Sequence, residues 1–409
     1  MYDILKRKST GLKRELVDFA QQLVRQPSPS LKEREVGRLI HEQMEHLGYD
    51  NVIQDDSGNV LGILFSKRPG PTLLLNCHMD TVQPGDLSQW TEDPFSANIK
   101  DGKLYGCGAS DCKGGLAAQV FSGALLKRSM LPFQGNLIVA ATVGQEQGGN
   151  VGIQNLMART LPELELSPTY AILGEPTNLG LYYGHDGWLE MDIHVEGSNA
   201  YDVNDAAKTI FEAFDSHSGT HGDQHGPDQW LIKSPLYESG DDCGHATIEM
   251  NHRFHHSQEP TTVIELVKHQ ATLAAQVVGN VAVNVVARQE TLQTYTGTRT
   301  VVKKITHAWE IDPFCTLMER SRHALEAAGC QTRASKWRLG RAGMATAGGF
   351  LTQEYQIPTI GYGPGHEDVI HGPNEFVDIK NITEAVYGTT AIIHSLIGIP
   401  VFGWTSDEI

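Results

Sequence analysis

The sequence predicts an α/β fold in which a mostly parallel sheet, flanked by helices, is interrupted by a smaller α+β module. Two features point there. Short continuous apolar runs ("NVLGILF", "PTLLLNCHMD", "GNLIVAATVG", "TYAILGEPT") alternate with helical patterns in the first part of the chain, as strands buried on both faces do. From residue 188, "WLEMDIHVEG" instead alternates in and out like a half-exposed strand, and the first pattern resumes near Pro313. The expected division is a larger domain from 1–183 and 300–409 and an inserted domain over 184–299. A chain of 409 residues, 40% of them hydrophobic, is long enough for two cores.

The elements follow in order. Leu12, Leu16, Phe19 and Leu23 recur at helical spacing and predict the first helix. "SPSLKEREVGRLIHEQMEHLGYD" carries Ser30 with Glu33 three residues on, a capping-box pattern, and ends at Gly48. It reads as a second helix of about four turns. "GGLAAQVFSGALLKRSM" is a third. Within the insert, "DAAKTIFEAF" is a helix and "DSHSGTHGDQHGPDQW" a polar loop, followed by the alternating strand "HATIEMNHRFH". "PTTVIELVKHQATLAAQVV" is a helix opened by Pro260, and "NVAVNVVARQETLQTY" a strand, giving a compact β-α-β-β-α-β module. The larger domain then closes with the helix "PFCTLMERSRHALEAAG", the buried strand "IPTIGYGPG" and the last helix "ITEAVYGTTAIIHSLIG".

The 32 basic and 49 acidic residues leave a formal charge of −17, which repels nucleic-acid backbones and anionic membranes. The N-terminus lacks the apolar core of a signal peptide, and no run nears the roughly 20 apolar residues that cross a bilayer. A cytoplasmic protein is expected. Its six cysteines are scattered without C-x-x-C pairs and read as reduced thiols.

Five segments place a histidine or carboxylate at or soon after an apolar strand: His78 with Asp80, Asp111, Glu146, Glu175 and His371. In an open α/β sheet the carboxyl ends of the strands share one crevice, so these groups can meet. Two imidazoles and three carboxylates suit one or two zinc ions, with the two oxygens of Asp111 able to bridge. Taken singly, His78 reads as a hydrogen-bonded strand end, Asp111 as a helix cap and Glu175 as a turn residue. Their convergence is what points to a metal.

"HMDTV", "GCGASDCKGG", "GQEQGG", "GEPT", "GHDG" and "GPGHEDVIHGPNE", in that order over almost the whole chain, resemble the M20 family of metallopeptidases and amidohydrolases. The family includes acetylornithine deacetylase, succinyl-diaminopimelate desuccinylase and carboxypeptidase G2-type enzymes. The resemblance implies a two-zinc catalytic domain interrupted by a lid that forms a homodimer. It implies that His78, Asp111 and Glu175 hold one Zn2+ and Asp111, Glu146 and His371 the other, two per chain, replaceable by Co2+ or Mn2+. Asp80 would orient the His78 imidazole and raise its basicity.

In the family mechanism a glutamate just before the metal-binding one takes a proton from the zinc-bound water and passes it to the leaving amine. Here that position is Gln145. An amide cannot accept and return a proton, and such shuttling is typically worth about 10²- to 10⁴-fold. The lid departs too. Where the family usually has a histidine that reaches across the dimer, this chain has Tyr201 in "GSNAYD", a phenol able to donate to an oxyanion. In "EMNHRF", Asn251 stands where an aspartate is frequent, while Arg253 remains a candidate for a substrate carboxylate, with a plain strand-surface arginine as the alternative. Arg341 is a further carboxylate candidate.

Other motifs fail on spacing. "HEDVIH" has one residue too many for the H-E-x-x-H zinc helix, and His217, His221 and His225 lie among glycines in what reads as a solvated loop. The expected function is a zinc-dependent hydrolase cleaving the amide bond of a small N-acyl amino acid or dipeptide-like substrate. The alternative is a catalytically impaired homologue that binds metal and a small ligand without efficient turnover.

Overall fold

The computed structural model describes residues 1–215, 230–239, 244–337 and 346–400; Arg341 and the three histidines at 217, 221 and 225 lie outside the described residues. The larger sheet has eight strands in the order Asn51–Gln54, Val60–Phe65, Asn136–Thr142, Thr72–His78, Pro168–Leu173, Thr359–Gly361, Leu181–Tyr182 and Ala334–Ser335. Its centre is parallel: Thr72–His78 lies between Asn136–Thr142 and Pro168–Leu173, and the latter pairs with Thr359–Gly361. Antiparallel pairings appear toward the edges.

Strand Thr72–His78 is buried at every position, which is why its sequence shows no alternation. Its successive side chains still go to opposite faces. Leu73 and Leu75 join a core with Leu16, Phe19, Phe121, Leu125 and Ile392 from helices Tyr2–Arg25, Gly114–Ser129 and Ile379–Ile397. Leu74 joins the core on the other face, with Ile138, Ile153, Leu156, Leu351 and Trp309. Each such leucine contributes about 1.5–3 kcal/mol by its burial.

The second helix runs Arg34–Leu47 and stops at left-handed Gly48, as its sequence indicates, but the capping box does not form. The Ser30 hydroxyl donates to Asp80 Oδ2 at 2.6 Å, and Glu33 Oε1 accepts from Leu31 N and Gly144 N. Ser30 is drawn to Asp80 and Glu33 to Gly144 as well as to neighbouring Leu31, and the two distant partners are what a local pattern does not contain.

In the smaller module, strands Trp230–Ile232, Gly244–Phe254, Gly187–Gly197 and Val281–Ala287 lie side by side in antiparallel order. Leu189, Met191, Ile193 and Val195 alternate inward and pack with Ala246, Ile248 and Met250 under helices Ala200–Asp215 and Pro260–Ala275. The chain then folds back. In the hairpin of strands Gln289–Gln293 and Arg299–Lys303, Leu292 and Val302 belong to the larger core, and the Tyr295 hydroxyl donates to Gly58 O at 2.8 Å.

Candidate metal centre

The carboxyl ends of the parallel strands bring the separate motifs together. His78 ends strand Thr72–His78, Glu146 and Gln145 follow Asn136–Thr142, and Glu175 follows Pro168–Leu173. Asp111 comes from the turn before helix Gly114–Ser129, and His371 from the loop after Thr359–Gly361. His78 Nε2 lies 3.1 Å from Asp111 Oδ1, 3.7 Å from Glu175 Oε2 and 4.0 Å from Glu146 Oε1. His371 Nε2 lies 3.2 Å from both Asp111 Oδ2 and Glu146 Oε2. Asp111 thus stands between the imidazoles, one oxygen toward each.

Several backbone features aim these groups. His371 sits in the left-handed region at φ +56°, a conformation of the order of 1–3 kcal/mol uphill for a non-glycine residue. Gly144 has φ +62°, and a Cβ there would come within 2.6 Å of Val151 and 2.9 Å of Leu31, so only glycine makes the turn into Gln145. Asp80, fully buried, accepts from Gln145 N at 3.0 Å, Glu146 N at 2.8 Å and the Ser30 hydroxyl. Burial alone would raise its pKa; His78, Ser30 and the Gln145 N–H hold it low, so it stays a carboxylate. The His78 Nδ1–H donates to the Asp80 carbonyl at 2.9 Å, with the Asp80 carboxylate at 3.3 Å, and Nε2 is left to face the centre.

The donor chemistry fits a divalent cation. Three carboxylates and two imidazoles converge, with His78, Asp111 and Glu175 buried and Glu146 and His371 half-buried, and buried charge of one sign calls for its opposite. Burial alone would lower the His371 pKa, but hydrogen bonds and charge from Asp111 and Glu146 push it up to about 11. His78 is likewise raised well above its usual value, against its burial, by Cys112, Glu175, Asp111 and Asp80. Burial, with the charge of Asp111, pushes Glu146 up to about 7. A cation bound here relieves all of these at once.

Gln145 is buried, and its Nε2 donates to Glu175 Oε1 at 2.8 Å. The side chain where a base is expected is therefore turned onto a carboxylate of the cluster. Two other singled-out residues lie elsewhere. Tyr201 is 76% exposed at the start of helix Ala200–Asp215, and Arg253, buried and so not the plain strand-surface arginine of the alternative, pairs with Asp186 Oδ2 at 2.7 Å. His366 bonds Asp378 Oδ2 at 2.7 Å, consistent with rejecting "HEDVIH" as a zinc helix.

Sequence reasoning missed the supporting charges. Glu375 accepts Gly108 N through Oε2 and both Ser110 N and Asp111 N through Oε1, fixing the turn that carries Asp111. Lys113, fully buried, donates to Gln26 O at 2.7 Å. Glu33 holds Gly144 N, and its Oε2 has no hydrogen-bond partner among the described residues. Lys113, set between Cys112 and two glycines, was the one local signal among the three; Glu33 stands in a charged stretch, and Glu375 finds its partners far along the chain.

Burial, then the charge of Asp80, pushes Glu33 up to about 8 against the N–H bonds that pull it down. Its folded pKa exceeds the unfolded value of about 4.3, so its stabilising contribution is complete below that value and lost as pH rises through about 8. Unfolding free energy is expected to fall across this window by up to about 1.4 kcal/mol per pH unit from this group. Urea titrations at several pH values should show a flatter profile for Glu33→Gln; an identical slope in both proteins rejects Glu33 as the source.

The model of peptidase family M20/M25/M40 matches residues 74–395, the stretch that holds every donor of the cluster. The chain belongs to this family. It is accordingly a hydrolytic enzyme, as the sequence motifs indicate. Uncharacterized protein YgeY of Escherichia coli (strain K12) is 25% identical over 389 residues, 91% of this chain and 92% of its own. A "Probable succinyl-diaminopimelate desuccinylase" of Staphylococcus epidermidis is 35% identical over 149 residues, 36% of this chain and 35% of its own. Among solved structures, the di-peptidase Dug1p of Saccharomyces cerevisiae superposes with a TM-score of 0.70 at 14% identity, covering 97% of this chain and 98% of that one. Bacillus subtilis YxeP, described as a dinuclear metal-binding peptidase, gives 0.67 at 13% identity over 94% and 98%. Both share the fold of this M20 hydrolase.

Proposed function

We propose that this M20 hydrolase uses zinc to cleave the amide bond of a small N-acyl amino acid or dipeptide-like substrate. The observation that carries the reading is Asp111 placed between His78 and His371, with Glu175 beside the first and Glu146 beside the second. His78, Asp111 and Glu175 would hold one zinc and Asp111, Glu146 and His371 the other; Co2+ and Mn2+ suit the same nitrogen and oxygen donors. Bound there, the metal pair supplies Lewis acidity and brings the pKa of water to about 7.

The chain's own side chains divide the remaining work. Asp80 positions, through His78 and through the N–H groups of Gln145 and Glu146. Gln145 can donate through Nε2 and accept through Oε1 but cannot carry a proton, so proton transfer limits the rate. Arg253 offers a guanidinium for a substrate carboxylate once Asp186 shares it. Arg253→Lys keeps the charge and loses the planar fork. It is expected to raise KM about tenfold with kcat within about threefold, the mark of lost ground-state binding; a fall in kcat alone would remove Arg253 from substrate binding.

A homodimer through the lid domain, 184–299, accords with an apolar outer surface. Leu266, Leu273, Val277 and Val286 are exposed there, and strand Val281–Ala287 is the last of the sheet order among the described residues. In such a dimer the exposed Tyr201 phenol is available to a neighbouring site. No helix among the described residues is long and apolar enough to cross a membrane. Cys77, Cys107, Cys112, Cys315 and Cys330 are free thiols, which supports a reducing, cytoplasmic setting.

The experiment is release of free amine from a panel of N-acyl amino acids and dipeptides by zinc-loaded protein, with an Asp111→Asn control. Turnover that vanishes in the control supports the reading. A panel cleaved equally well by both proteins refutes it.

A further inference from the structure

Three lysines gather around a cavity that the chemistry above does not use. It is open to solvent, about 920 Å³ in volume, and lies where helix Tyr2–Arg25 passes the end of helix Thr316–Ala328 and the first turns of helix Ile379–Ile397. A cavity of this size takes a small organic ligand. None of its lining residues is a donor of the metal centre. The floor is apolar: Val17, Ala328 and Ile379 line it, with Tyr387, buried and held by its hydroxyl, which donates to Ala328 O at 3.1 Å. The Cys330 thiol belongs to the same floor. Burial, then the charge of Glu384, pushes it up to about 12 against the pull of Lys6, so it stays neutral.

The charges stand at the rim. Lys6 and Lys13, two turns apart on one face of the first helix, and Lys380 of the last are all exposed, and none forms an ion pair among the described residues. Arg14 and Asp18 also line the cavity but pair with each other at 3.9 Å. Glu384 is the remaining carboxylate of the lining, half-buried and within reach of Cys330, so the three lysines outnumber it. Over the rest of this surface the net charge of −17 repels anions. Here a positive rim stands over an apolar floor, the complement of a molecule with an anionic head and an apolar body.

We propose that this cavity is a binding site for a small amphipathic carboxylate, separate from the hydrolytic centre and independent of how that centre is read. The apolar chain of the ligand lies on Tyr387, Ala328 and Ile379. Its carboxylate accepts from the ammonium groups of Lys6, Lys13 and Lys380, each with three donors. Lysine suits such a rim, because its long flexible stem lets charges from two helices close on one head.

The test titrates octanoate calorimetrically into the zinc-loaded full chain at low ionic strength. One molecule is expected to bind per chain, at least about tenfold more tightly than acetate, which lacks the body, or 1-octanol, which lacks the charge. Lys6→Glu, Lys13→Glu and Lys380→Glu together are expected to weaken octanoate by about tenfold or more. Lys67→Glu, Lys208→Glu and Lys303→Glu together, at exposed lysines elsewhere, make the same change in net charge and should leave it within about twofold. Thr383→Phe fills the cavity from helix Ile379–Ile397 without changing charge, is expected to weaken octanoate as well, and serves should the first triple variant fail to fold. Equal binding by the two triple variants, as octanoate held at the metals would give, overturns the site. So does octanoate binding that Thr383→Phe leaves unchanged, acetate that binds as tightly as octanoate, or no saturable binding of octanoate in the millimolar range.

Discussion

Gln145→Glu is expected to raise kcat on an amide substrate by about 10²- to 10⁴-fold, the usual scale of general acid–base catalysis. The position is already built for a carboxylate. Its main-chain N–H is fixed by Asp80 Oδ1, Gly144 makes the turn that no side chain could, and Glu146 beside it is held by Asp80 Oδ2. A glutamate would keep the length and shape of Gln145 and exchange a donor for an acceptor. What changes is the contact with Glu175, now 2.8 Å from the Gln145 amide nitrogen. Two carboxylates at that separation cannot both stay ionised unless a cation intervenes, and repulsion lifts the pKa of one toward neutrality, where a base works best. KM should change little, because no substrate-binding group is touched. The pH profile of kcat should gain an acidic limb that the native protein lacks. If the native protein turns over as fast as the variant, another group already moves the proton and Gln145 is not the limit.

Most of the architecture was legible because it rests on periodicity. Leu12, Leu16, Phe19 and Leu23 all face the core of the first helix, and the alternation of 188–197 matches a strand with one buried face. The cluster was legible for a different reason: His78, Glu146 and Glu175 stand at or just beyond the ends of parallel strands, which meet, whereas Asp111 and His371 reach the same place from a turn and a loop. The charges that support the centre were hidden. Ser30 and Glu33 form a correct local cap pattern but are claimed by Asp80 and Gly144, contacts set only once helix and sheet pack. Glu375 is similar: it sits in the quoted "HGPNE", yet its partners are the N–H groups of Gly108, Ser110 and Asp111, more than two hundred residues away. Nothing in local spacing announces a carboxylate that binds backbone across such a distance.

Asp111→Asn is expected to strip both metals and lower turnover by about 10³-fold or more, a larger loss than removing any one donor from a single side. The asymmetry of the asparagine side chain is the reason. Asp111 presents Oδ1 to His78 and Oδ2 to His371, so one carboxylate serves both halves of the centre. An asparagine offers one oxygen and one NH2 group, and the NH2 group has no lone pair to give a metal. Whichever way it turns, one half loses its shared donor and the other keeps a neutral, weaker one. The fold should survive, because the main-chain N–H of residue 111 still donates to Glu375 and the size of the side chain is unchanged. Glu175→Gln provides the contrast. It removes charge beside His78 alone and should spare the metal between Glu146 and His371. Metal analysis therefore separates a bridging carboxylate from two independent sites: loss of both metals in Asp111→Asn and of one in Glu175→Gln requires the bridge, and equal losses in the two variants exclude it.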